Sequence, residues 1–235
     1  DRSPSRGLGD VYKRQTLYLA DGGILDTRRP TAKTSASTYV SDPSDPVPYC
    51  EVSGLRRPKE YMVADQRFLF GRPDVLTFVS EPLEEDMTLV GPVDADLEVT
   101  LSTTDADFVV KLIDVWPDNT EYPGYQMLVR GDIMRGRYRR SFSAPEPFTP
   151  GEPTEVAFTM PDIAHTFRKG HRIMVQVQSS WFPLADRNPQ QFVDIYRCAA
   201  SDFIPCDVRI YHDRRRPSRL EVLRCLLYTS PSPRD

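Results

Sequence analysis

Residues 171–179 read His-Arg-Ile-Met-Val-Gln-Val-Gln-Ser, with Ile173, Val175 and Val177 on one parity and Arg172, Met174, Gln176 and Gln178 on the other. Alternation of this kind puts side chains on opposite faces of an extended chain, and a helix of 3.6 residues per turn cannot use it. The pattern recurs. In 95–101, Leu97, Val99 and Leu101 alternate with Asp96, Glu98 and Thr100, and in 155–160 the residues Val156, Phe158 and Met160 share a face. Residues 108–116 are denser, because Phe108, Val110 and Leu112 occupy one face and Val109, Ile113 and Val115 the other. Only Lys111 and Asp114 interrupt that run, which predicts a strand covered on both sides.

Shorter strands are predicted over 74–79, 84–90, 207–211 and 220–223. Gly91-Pro92 is read as ending the second of them. Residues 126–139 read as one or two strands, and 163–167 as a loop or short helical turn. Residues 17–24 form a short apolar patch. Residues 26–59 are rich in Pro, Ser, Thr and charge, and include Asp42-Pro43-Ser44-Asp45-Pro46-Val47-Pro48, so they read as an extended surface connection. The 22 prolines fall mostly between the apolar runs. Many short strands separated by Pro, Gly and Asp turns predict an all-β antiparallel sandwich or jelly roll.

The two ends stand apart from this pattern. Asp10-Val11-Tyr12-Lys13-Arg14-Gln15 and Cys225-Leu226-Leu227-Tyr228-Thr229 can be encoded by one DNA string and its reverse complement, and both ends resemble translated sequencing-library adapter. The expected organisation is therefore adapter-derived residues 1–15 and 225–235, the end of a preceding domain and an extended linker over 16–60, and a C-terminal β-sandwich domain 61–224.

The formal net charge is −4, the wrong sign for a general nucleic-acid binder. No apolar run is long enough to span a membrane as a helix. Within 16–224 the cysteines Cys50, Cys198 and Cys206 are odd in number and have no CxxC spacing. Scattered thiols fit them better than a Cys198–Cys206 disulfide. Three histidines far apart argue against a His-based metal site, and no metal or cofactor is expected.

No Gly-x-Ser-x-Gly elbow, GxGxxG, GxxxxGK or HExxH occurs. Asp105 and Asp107 share strand parity, so their carboxylates could converge on a hard cation. The alternative is a solvated turn whose acids cap backbone donors; Asp114 and Asp118 extend the same acidic group. Trp181-Phe182-Pro183 follows a strand end, where large rings can wall a cleft, pack on a neighbouring domain or close the core. Arg187 has the fork geometry to pair with Asp186 or with a carboxylate across an interface. Arg135, Arg137, Arg139 and Arg140, and then Arg214–Arg216, are basic patches in an acidic chain, which suggests ion pairs with a partner domain.

Several segments together resemble one family. They include Arg72-Pro73-Asp74-Val75-Leu76, Thr104-Asp105-Ala106-Asp107-Phe108 and Lys111-Leu112-Ile113-Asp114-Val115-Trp116-Pro117. Further along come Arg135-Gly136-Arg137-Tyr138-Arg139, Phe167-Arg168-Lys169-Gly170-His171-Arg172-Ile173, Ser179-Ser180-Trp181-Phe182-Pro183 and Asp186-Arg187-Asn188-Pro189. The series resembles the C-terminal domain of the cocaine esterase/X-Pro dipeptidyl-peptidase family of serine hydrolases, closest to its α-amino ester hydrolase and glutaryl-cephalosporin acylase branch. The resemblance implies a jelly-roll, galactose-binding-like domain leaning on an upstream α/β-hydrolase domain absent from this chain. It assigns no catalytic residue here, because the family's Ser, Asp and His lie in that upstream domain. Trp181 and Phe182 become candidates for one wall of the cleft. Arg72, Asp74, Asp105, Asp107, Asp114, Asp186 and Arg187 become structural or interdomain positions. For the intact protein it implies acyl transfer through an acyl-enzyme, with oligomeric state open. A free carbohydrate-binding or purely structural β-sandwich module is the competing reading.

Overall fold

The computed structural model describes residues 11–51 and 58–226 of the chain. Eleven strands are present among them: β1 (Tyr12–Ala20), β2 (Ile24–Asp26), β3 (Ala36–Ser41), β4 (Leu76–Val79), β5 (Met87–Leu101), β6 (Asp107–Val115), β7 (Gln126–Arg135), β8 (Thr154–Phe167), β9 (Arg172–Gln178), β10 (Cys206–Tyr211) and β11 (Arg219–Cys225). Helical structure among the described residues is limited to short 3-10 turns.

The strands follow one hydrogen-bonded path, β3-β10-β5-β11-β1-β2-β4-β9-β6-β7, with β8 on the other side of β5. The path folds back on itself at the β1–β2 corner, where β2 meets β4 through the single parallel pair Ile24–Val79. One layer is then β3, β10, β11, β1, β5 and β8, and the other is β4, β9, β6 and β7. The main core lies between them: Leu89, Val93, Leu97, Val99, Val156, Met160, Val208 and Leu220 face Phe78, Phe108, Val110, Leu112, Ile173, Val175 and Val177. Phe78, Phe108 and Phe167 are almost completely buried. Each such ring contributes roughly 1.5–3 kcal/mol of apolar burial.

The predicted all-β sandwich is present, and the alternating runs lie where their periodicity put them. Two expectations are corrected. Gly91-Pro92 does not end a strand: β5 passes through it, and the register to β8 shifts between Gly91 and Val93. Residues 163–167 are not a loop but the second half of β8, with Ile163 opposite Gly91. Pro92 and Pro161 both fall inside this bulge, where a missing N–H breaks no regular ladder bond. Within the 26–59 connection, residues 36–41 form β3, paired along the outer edge of β10. Residues 126–139 resolve into one strand, β7, followed by a 3-10 turn at Gly136–Tyr138.

Of the two ends read as adapter, residues 1–10 and 227–235 lie outside the described residues. Tyr12 to Gln15 run in β1 opposite Cys225 to Val222.

A second, smaller core sits on the outer face of the β6–β9 layer. Val109, Ile113, Leu128 and Met174 point outward there and are covered by Tyr49, Cys50 and Trp181, with Tyr61 and Leu184 at the margin. This cover is why β6 is buried on both faces, as its dense apolar run predicts.

Candidate functional site

The residues singled out in the sequence gather around β6 and its outer cover. Asp105 and Asp107 bracket the start of the strand, and both are withdrawn from solvent. Arg137 donates from its Nε to Asp105 Oδ2 at 2.7 Å and from its backbone N to Oδ1 at 3.1 Å. Arg135 holds Asp107 through Nε at 3.1 Å and Nη2 at 3.2 Å. Asn188 Nδ2 donates to both acids, at 3.0 Å to Asp105 and 2.8 Å to Asp107. The carboxylates therefore neither converge on a cation nor cap a solvated turn; arginines fill the space a cation would need. Among the described residues no group of three or more His, Cys, Asp or Glu could hold a metal ion. Burial pushes Asp107 up to about 6 against the pull of Arg135 and Asn188.

The same guanidinium groups fasten the 186–193 loop. Arg137 donates to Val193 O and Gln191 O, and Arg135 donates to Asp186 O. Arg140 pairs with Glu146, and Arg216 with Asp213. Arg135, Arg137, Arg140 and Arg216 thus have partners within the chain, whereas Arg214 and Arg215 are exposed.

A second set of ties clamps the connecting segment. Arg72 forks onto Asp74 at 2.8 and 2.9 Å and reaches the Asp45 carbonyl at 2.8 Å. Arg187 does not pair with Asp186. Its Nη1 donates to Pro43 O at 2.8 Å, and its guanidinium lies over the rings of Phe182 and Phe203. Pro48 and Phe182 form a parallel bridge, with Tyr49 N donating to Phe182 O and Phe182 N to Val47 O, both at 2.9 Å. Trp181 belongs to the second core at 7% exposure, whereas Phe182 stays 39% exposed beside it. Trp181 therefore offers no open face for stacking on a sugar. A groove of about 640 Å³ lies elsewhere, between β7 and β8, lined by Met134, Arg135, Tyr138, Phe142 and Phe158 among others.

Two histidine arrangements were not foreseen. Asp114, buried on β6, accepts from His165 Nε2 at 2.9 Å and from His171 Nδ1 at 2.8 Å. This carboxylate cross-braces the end of β8 to the start of β9. Ser37 Oγ lies 3.0 Å from His212 Nε2. A serine hydroxyl on an imidazole is half of a nucleophilic triad, which also needs an acid on the other ring nitrogen. His212 Nδ1 is buried without a partner, so the orienting acid is missing. Burial also pushes His212 below the ordinary imidazole value, which weakens it as a base. No sequence signal marked either arrangement, because the members come from strands far apart in the chain. Cys198, Cys206 and Cys225 are free thiols.

Fold and site together define a β-sandwich module whose polar machinery is spent on holding its own loops. The chain belongs to the family of X-Pro dipeptidyl-peptidase C-terminal non-catalytic domains, whose model matches residues 6–221. It is 38% identical over 199 residues to the cocaine esterase of Rhodococcus sp. (strain MB1 Bresler), covering 85% of this chain and 34% of that protein. Among solved structures it superposes with a TM-score of 0.85 on an α-amino acid ester hydrolase, at 43% identity, covering 88% of this chain and 36% of that one. An aminopeptidase from the marine sediment archaeon Thaumarchaeota archaeon gives a TM-score of 0.86 at 40% identity, covering 89% and 36%. The chain thus spans about a third of the length of these relatives. Among the described residues no helix is long and apolar enough to cross a membrane.

Proposed function

We propose that this chain serves a serine hydrolase that acts on α-amino esters or amides, and that its task there is to carry an interdomain face. The observation that carries the substrate class is the 43% identity to an α-amino acid ester hydrolase over nearly the whole module. In the intact protein the upstream serine attacks the ester or amide carbonyl, an acyl-enzyme forms, and water or an amine takes the acyl group.

The interdomain face is the outer cover of the β6–β9 layer. Segment 42–50, the turns Lys59–Val63 and Gln66–Leu69, and loop 181–187 lie there as one layer over the second core. This layer presents Met62, Val63, Phe70 and Phe182 to the outside, with Phe70 at 91% exposure. Apolar side chains on a surface otherwise rich in charge mark the place where another body sits. Phe182, flanked by Arg187, is the candidate cleft wall.

The test uses the intact parent chain, assayed on phenylglycine methyl ester and on the matching ester that lacks the α-amino group. Preference for the amino ester is expected. Equal turnover of both removes the α-amino assignment, while leaving the family membership intact.

A further inference from the structure

Lys111 is the one lysine in the middle of β6, and its side chain is completely buried. Its Nζ donates to Gln66 Oε1 at 3.0 Å, and no carboxylate among the described residues forms an ion pair with it. Two ring faces complete its surroundings, Trp181 with its centroid 5.5 Å from Nζ and Phe68 at 6.0 Å. A neutral amide and two rings hold an amine well but do not repay the cost of burying an ammonium, which needs a hydrogen-bonded counter-ion.

The elements packed around Lys111 supply no such charge. Its register partners are Gly131 on β7 and Gln176 on β9. Next to Gly131, Arg130 is committed to Asp162 O, and Asp132 accepts from Ile133 N. On β6 itself, Asp107 is held by Arg135 and Asn188, and Asp114 by His165 and His171. On the turn, Asp65 and Arg67 pair with each other. In the outer cover, Asp45 pairs with Arg72, Asp42 accepts from Ser44 N and Arg187 donates to Pro43 O, while Tyr49, Cys50 and Tyr61 line the second core. Burial accordingly lowers Lys111 from 10.5 to about 7.

The partners of Lys111 sit on the outer cover rather than on the β6–β9 layer. Gln66 and Phe68 belong to the 3-10 turn Gln66–Leu69, and Trp181 to the loop after β9. We propose that Lys111, Gln66 and Trp181 form a proton-operated latch: proton uptake by the Lys111 amine lifts the Gln66–Leu69 turn and the 181–184 loop off the β6–β9 face, and proton release closes them. The latch belongs to this chain alone and does not depend on the substrate class of the parent hydrolase.

The direction follows from the two protonation equilibria. In the closed layer the amine is neutral above about 7, whereas in the open layer it titrates near 10.5. As pH falls from 10.5 towards 7 the open form gains about tenfold per pH unit, and below 7 both forms are protonated and the ratio levels off.

Hydrogen exchange of the full chain tests this, with protection corrected for the intrinsic pH dependence of amide exchange. Backbone amides of 66–70 and 181–185 are expected to lose about 100-fold protection between pH 9 and pH 7 and little more below, while β5 and β10 stay unchanged. In Lys111→Met the same amides should show no such slope. A wild-type profile flat in pH, or an equal slope in Lys111→Met, overturns the latch. If Lys111→Met does not fold, NMR titration of the Lys111 side chain in the wild type decides: a midpoint near 7 supports it and one near 10.5 overturns it.

Discussion

Arg137 Nη2 stands 2.7 Å from Asp105 Oδ2, with the two side chains 8% and 0% exposed. Charges this deeply buried are tolerated only as a pair, so removing one partner leaves the other uncompensated. Arg137→Met is therefore expected to cost about 3–5 kcal/mol in urea unfolding and to loosen the 191–193 loop that the same guanidinium holds. Arg140→Met should change stability by less than ~1 kcal/mol, because the Arg140–Glu146 pair is largely solvated. Equal losses for the two variants would contradict the assignment of Asp105–Arg137 as a structural tie.

Gly131 is fixed by space. A Cβ there would sit 2.9 Å from the Trp181 ring and 3.3 Å from Lys111 Cγ. Gly131→Ala is expected to destabilise by about 1–3 kcal/mol and to shift the emission of Trp181 as its ring is displaced. An unchanged melting temperature and spectrum would mean that Trp181 does not pack there.

The raised Asp107 gives a pH signature of its own. The folded state holds its proton up to about 6, while the unfolded chain releases it near 3.8. This group therefore stabilises the fold most below 3.8, and that contribution is lost as pH rises to about 6, at no more than ~1.4 kcal/mol per pH unit. Unfolding of wild type and Asp107→Asn between pH 4 and 7 should differ by this slope, the wild type losing stability relative to the variant as pH rises. An equal slope in Asp107→Asn would place its origin elsewhere.

The tie between Arg72, Asp74 and Asp45 predicts how the cover is anchored. Arg72→Ala should raise the exchange rate of amides around 42–50 and increase proteolysis there, with the main core unaffected. Because these contacts are partly solvated, the expected loss of global stability is small, about 1 kcal/mol. Unchanged protection of that segment would show that its hydrogen bonds to 180–182 suffice without Arg72.

Much of the sandwich was legible because burial on one face imposes period two. Residues 171–179 anticipated β9, and the dense apolar run after Asp107 anticipated a strand covered twice. The misreadings share a cause: local signals compete with long-range pairing. Gly91-Pro92 looks like a stop, and Pro161 hides the second half of β8, but the two irregularities face each other and cancel in one bulge. β3 carries only Tyr39 and Ser41 as buried positions and pairs solely with β10, so its alternation is too weak to stand out. The acids of the site were visible as a cluster, but their partners were not, since Arg135, Arg137 and Asn188 arrive from other elements. Lys111 was legible only as an interruption, and its meaning depends on Gln66 and Trp181, which the fold brings to it.

The most direct measurement of the central claim is hydrolysis of phenylglycine methyl ester by this chain alone, beside the parent chain that includes the upstream domain. The isolated chain is predicted to give no turnover above buffer, and the parent chain to turn the ester over. Turnover by the isolated chain that disappears in Ser37→Ala would contradict the account, because it would place a working nucleophile inside the module.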